Sequence, residues 1–134
     1  MADEKKALIL TNNSGVVQTF GSIFTDLGYQ PENQRFRDMK NGSDAAEKAL
    51  AEGISAIYLH RHCTIMDRSS HLSLEIMKAL RDEYQGIFLI GSNSDLSVAE
   101  KRYVKSNPCY GLCELPTNLD KIKAQLQGLE RHLR

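Results

Sequence analysis

Three short runs of apolar residues, at positions 7–10, 54–59 and 87–90, constrain this chain more than anything else in it. Each is short, continuous and bounded by polar or turn residues. That is the pattern of a strand buried on both faces, which belongs to a parallel sheet with helices above and below it. The middle run, Ile54-Ser55-Ala56-Ile57-Tyr58-Leu59, ends abruptly in His60. It reads as the central strand, with His60 at its carboxyl end. In open α/β sheets, ligand and reaction sites lie outside the carboxyl ends of the strands. His60 is therefore the first candidate for chemistry.

Taken in order, the first strand covers residues 7–10 and the polar turn 11–15 follows it. Val16, Val17, Phe20, Ile23, Phe24 and Leu27 recur at helical spacing, and Gly28 is a helix stop. Residues 29–40 are mostly polar and include Pro31, so a strand there lies at the sheet edge. The second helix covers 45–52, rich in Ala, Glu and Lys, and Gly53 ends it. After the central strand a long polar loop runs from Arg61 to about His71. A third helix then spans 72 or 73 to 84, with Ile76, Met77, Leu80 and Tyr84 on one face. Residues 87–90 form the fourth strand and 91–94 the next loop. Ser97 and Glu100 have capping-box spacing for a short helix to about Lys105. Residues 109–114 give a fifth strand, and the last helix starts at Leu119. Five strands alternating with five helices imply right-handed βαβ units and one three-layer, doubly wound parallel sheet across residues 1–134.

Composition narrows the function. Lys plus Arg (17) balances Asp plus Glu (17), which gives no electrostatic case for nucleic acid or an anionic membrane as a main partner. No stretch approaches the roughly 20 apolar residues of a membrane span. Three cysteines, Cys63, Cys109 and Cys113, and no signal peptide predict reduced thiols in a cytoplasmic protein.

The chain resembles the response-regulator receiver domains, the CheY-like members of the flavodoxin-like fold. The likeness rests on the order of elements and on three local stretches: Asn41-Gly42-Ser43-Asp44-Ala45-Ala46, Ser73-Leu74-Glu75-Ile76-Met77-Lys78, and Leu115-Pro116-Thr117-Asn118-Leu119. The resemblance implies strand order 2-1-3-4-5 and a role in two-component or phosphorelay signalling. It also implies an aspartate at the end of the third strand that accepts a phosphoryl group. Two acidic residues after the first strand would help hold Mg²⁺, a hydroxyl would follow the fourth strand, and a lysine would precede a proline after the fifth. In this chain the acceptor position falls on His60, and the acidic pair on Thr11 and Asn12. The hydroxyl position falls on Gly91, with Ser92 adjacent, and the lysine position on Leu115. Mg²⁺ is a hard cation that requires oxygen ligands, usually carboxylates. Without it and without the lysine, a transferred phosphoryl group has no charge compensation. The expectation is a pseudo-receiver with no catalytic residue, no bound metal and no cofactor, acting through a protein partner, an output domain or dimerisation.

Two other readings stay open. His60, His62, Cys63 and His71 could ligate a metal or support Cys/His chemistry, although their spacing matches no zinc pattern. The chain could also be a receiver-like wing of a larger enzyme. In the last helix, Leu119, Ile122, Leu126, Leu129 and Leu133 follow 3-4-3-4 spacing, which fits either packing onto the sheet or a heptad seam for a homodimer. The resemblance adds Tyr103, Tyr110 and Leu112 to that candidate interaction face, formed by the fourth helix, fifth strand and fifth helix.

Overall fold

The structure, a computed structural model, describes residues 5–35, 42–61, 69–80, 83–92, 97–115 and 118–133. Strands β1 (Lys5–Leu10), β2 (Tyr29–Gln34), β3 (Ala56–Arg61), β4 (Ile87–Ser92) and β5 (Tyr110–Glu114) alternate with helices α1 (Ser14–Asp26), α2 (Gly42–Glu52), α3 (Ser69–Leu80), α4 (Val98–Ser106) and α5 (Leu119–Glu130). All strands are parallel, in the order β2-β1-β3-β4-β5. This is the flavodoxin-like three-layer arrangement that the alternation predicts.

Side-chain alternation along the strands divides the core in two. Leu8, Leu10, Ile57, Leu59, Phe88 and Ile90 pack under Ala45, Ala46, Ala49, Ile76, Met77 and Leu80 of α2 and α3. Ile9, Ala56, Tyr58, Ile87, Leu89 and Cys113 pack under Phe20, Ile23 and Phe24 of α1 and Ile122 and Leu126 of α5. Each large apolar side chain buried this way contributes roughly 1.5–3 kcal/mol.

The ends of the elements follow from local chemistry. The Asn13 carboxamide oxygen accepts from the backbone N–H groups of Gly15 and Val16 and caps α1. Gly28 takes the left-handed turn after it, at φ 92°. Both halves of the Ser97–Glu100 capping box are present on α4. Strand β2 exists despite its polarity because it sits at the edge, paired along β1 from Lys5–Tyr29 to Leu10–Gln34, with residues 30–33 exposed. Asn33 fastens it further, its amide donating to the carbonyls of Ile9 and Thr11 at 2.9 and 3.2 Å.

Several boundaries differ from the sequence expectation: β1 starts at Lys5, α2 at Gly42 and β5 at Tyr110, and β3 spans Ala56–Arg61. Helix α3 begins at Ser69, ahead of its apolar stripe, and ends at Leu80. Tyr84 lies beyond the helix, buried, with its hydroxyl donating to the Ile87 carbonyl at 3.0 Å. Strand β4 continues past the apolar run to Ser92, because Gly91 and Ser92 pair with His60 and Arg61 of β3. No helix among the described residues is long and apolar enough to cross a membrane.

Candidate functional site at the carboxyl edge of the sheet

The carboxyl ends of β1, β3, β4 and β5 converge where the sequence places the candidate site. At β1, Thr11 is fully buried, its hydroxyl oxygen accepting from the Asn13 N–H at 3.1 Å and its own N–H donating to Gln34 at 3.2 Å. Asn12 is exposed and Asn13 is taken up as the α1 cap. At β5, the Leu115 N–H donates to the Ser92 carbonyl at 2.8 Å, which ties this end to β4. Ser92 is buried and Glu114 is exposed.

The centre is occupied by a residue that sequence reasoning passed over. Tyr58 precedes His60 by two positions, so both side chains rise on the same side of the sheet. Tyr58 is fully buried, and its ring stacks on Phe20 with centroids 3.6 Å apart and planes 12° apart. Its hydroxyl lies 2.9 Å from Nδ1 of His60. Burial, reinforced by the nearby Cys113 thiol, pushes the Tyr58 phenol well above its ordinary range and keeps it protonated. A protonated phenol can donate or accept, so the direction of the bond to Nδ1 follows the His60 tautomer. The same hydroxyl leaves no room for a side chain on β4. A Cβ on Gly91 would overlap it and stand 2.6 Å from Cζ of Tyr58. Gly91 is therefore glycine because of close approach, not because of its backbone angles.

Above Tyr58 lies an open groove of about 420 Å³ between α1 and α5, lined by Asn13, Val16, Phe20, His60, Leu115 and Ile122 among others. Its walls are mostly apolar, and among its described lining residues stands no carboxylate, lysine or arginine. The positions of the sequence-predicted acidic pair and acceptor, Thr11, Asn12 and His60, offer Mg²⁺ a threonine hydroxyl already hydrogen-bonded, an amide and an imidazole. That donor set does not fit a hard cation.

Of the remaining sequence candidates, His62 and Cys63 lie outside the described residues, and His71 falls within the first turn of α3. Among the described residues no three His, Cys, Asp or Glu side chains gather as a metal site. Cys109 is half-buried and Cys113 buried, both free, and burial raises both thiols above their ordinary range. On α5, Ile122, Leu126 and Leu129 are buried against the sheet and Leu133 packs at its border, while Leu119 is 52% exposed. Polar contacts hold the helix in place: Glu130 accepts from the Tyr29 hydroxyl at 2.7 Å, and Lys123 pairs with Asp26 at 2.9 Å. The seam is thus used within the protomer. Tyr110 is buried against Phe88, and Tyr103 and Leu112 are half-buried.

The sequence matches no protein-family model and no curated protein. Solved structures do match the fold. The chemotaxis response regulator CheY4 of Vibrio cholerae superposes with a TM-score of 0.66 at 21% identity, covering 95% of this chain and 99% of that one. A CheY-like response regulator receiver domain from Methylobacillus flagellatus gives 0.64 at 20%, with the same coverage. The receiver domain of the sensor histidine kinase PA1611 from Pseudomonas aeruginosa, which holds a magnesium ion in its active-site cleft, gives 0.61 at 14%, over 93% and 96% of the two chains. The likeness extends over nearly the whole chain, and what it shows is a shared fold.

Proposed function

We propose that this chain is a pseudo-receiver: a signalling module that keeps the receiver scaffold, does not accept a phosphoryl group by the aspartate and Mg²⁺ route, and acts by protein contact. The observation that carries this reading is Tyr58. Its hydroxyl fills the space beside Gly91 where a receiver presents a hydroxyl side chain, and it closes against His60 at the acceptor position. The carboxylates and the lysine that phosphoryl transfer requires are replaced by Thr11, Asn12, His60 and Leu115. A module of this kind works without catalytic residues or cofactor, in the cytoplasm, as one component of a two-component or phosphorelay pathway.

Incubation with acetyl phosphate and Mg²⁺, followed by intact-mass spectrometry, tests the reading. The unmodified mass is expected, alongside a phosphorylated control receiver. A gain of one phosphoryl group that maps to the edge around His60 overturns it.

A further inference from the structure

A cavity larger than the groove at the strand ends lies elsewhere in the molecule. It lies between α3 and α4, has a volume of about 550 Å³, and has Met77, Ala99, Tyr103 and Tyr110 for its apolar lining and Arg102 and Ser106 on its polar side. Clefts of roughly 300–1,000 Å³ with apolar walls and a few polar groups are the usual form of a binding site. Ala99, Arg102, Tyr103 and Ser106 recur at helical spacing, so one stripe of α4 lines it.

The charge on α4 says what it suits. Lys101, Arg102 and Lys105 are all exposed, and none forms an ion pair with another described residue. The acid of the same helix contributes nothing to that surface. Glu100 is only 1% exposed and accepts from the Ser73 hydroxyl and the Ser97 N–H. The basic surface is local, since the whole chain has no net charge. Of the three cations, Arg102 lines the cavity, and one lining cation on a short helix does not make the long basic track that nucleic acid requires. Val98, 70% exposed, adds an apolar contact in the first turn of the helix.

We infer that the cavity between α3 and α4 is a docking site for an acidic peptide segment of a partner protein that inserts one large apolar side chain. The side chain would rest on Met77, Tyr103 and Tyr110. A carboxylate beside it would meet the planar, bidentate guanidinium of Arg102, which lines the cavity. This rests on the reading that the chain acts by protein contact, and it is independent of what the strand ends do.

Selection of random dodecapeptides displayed on phage against the full chain is the test. Enriched sequences are expected to combine Asp or Glu with one Phe, Trp or Leu. A synthetic peptide of the enriched sequence is expected to bind about tenfold more weakly to Arg102→Glu, in keeping with the loss of a charge-assisted pair. A similar loss is expected with Ala99→Trp, which fills the cavity and leaves the charge alone. Both positions are exposed, and a thermal melt verifies that each variant is folded. A lysine-substituted peptide should recover binding to Arg102→Glu. No enrichment, enrichment without acidic bias, or binding indifferent to both substitutions overturns the inference. So does equal competition by a single-stranded oligonucleotide. If selection fails while acetyl phosphate leaves the chain unmodified, the docking site alone falls. If acidic peptides are selected but the chain takes up a phosphoryl group, the pseudo-receiver reading alone falls.

Discussion

The groove between α1 and α5 and the cavity between α3 and α4 are similar in size, about 420 and 550 Å³, and opposite in chemistry. The first lies where receivers carry out phosphoryl transfer. It keeps its place at the carboxyl edge, and it is lined by apolar groups and one imidazole held by Tyr58. The second has an apolar lining and the Arg102 guanidinium, which forms no ion pair with another described residue. Room alone does not decide what a concave surface can do. A phosphoryl group carries concentrated negative charge, and only preorganised cations and donors make a site for it. Among the described lining residues of the groove stands no carboxylate, lysine or arginine, and the Tyr58 phenol fills the space beside Gly91. On α4 the exposed cations form no ion pair with another described residue.

The difference can be broken or sharpened by substitution. The largest effect is expected at Gly91. Gly91→Ala drives a methyl into the Tyr58 ring and should cost roughly 3 kcal/mol, the upper range for overpacking, in a chemical denaturation measurement. In a Tyr58→Leu background the same change should cost far less, with a coupling of about 1–3 kcal/mol. Additive costs would mean that the two residues do not interlock.

The next effect is on alkaline stability. Burial raises the phenols of Tyr29, Tyr58 and Tyr84 above their ordinary value of 10.0. A group whose folded pKa is raised contributes stability fully below its unfolded pKa and loses it as pH climbs toward the folded one. Denaturation midpoints should therefore hold up to about pH 10 and fall above it. Tyr58→Phe should be less sensitive to alkali than the parent. At neutral pH it should cost only about 1 kcal/mol, the typical worth of one buried hydrogen bond. A midpoint independent of pH between 9 and 11.5, limits set around the free-phenol value, would contradict the buried geometry.

The smallest effect is expected on α4. Arg102→Glu or Lys105→Glu should change stability by less than about 0.5 kcal/mol, as surface substitutions usually do. A much larger loss would mean that these cations have a structural role and are not reserved for a partner.

Much of this molecule is legible in the sequence. The apolar runs at 7–10, 54–59 and 87–90 place the central strands, and the period of Phe20, Ile23 and Phe24 places α1. Strand β2 is the hardest element, because its polar residues carry no inward pattern and its existence depends on pairing with β1. The start of α3 is hidden for a related reason: its first turn is Ser69, Ser70 and His71, and its stripe begins later. The site shows the same split. The order of elements puts Thr11, Asn12, His60 and Leu115 at or beside the ends of their strands, where the structure has them. The reason for Gly91 could not be read this way, since it needs the register that sets β4 beside β3. One signal was available: residues 58 and 60 of a strand share a face, so a tyrosine two positions before a site points toward it. The heptad spacing of α5 had two readings, and only burial of Ile122, Leu126 and Leu129 shows which surface they cover.

The most direct measurement is a titration of the chain with beryllofluoride and Mg²⁺, a mimic of the phosphorylated state, followed by the amide resonances of β1, β3 and β4. With no carboxylate at Thr11, Asn12 or His60 and with Tyr58 seated beside Gly91, the resonances of Thr11, Asn12, His60 and Gly91 should not move, while a control receiver shifts fully. Saturable shifts centred on those four residues would contradict the account.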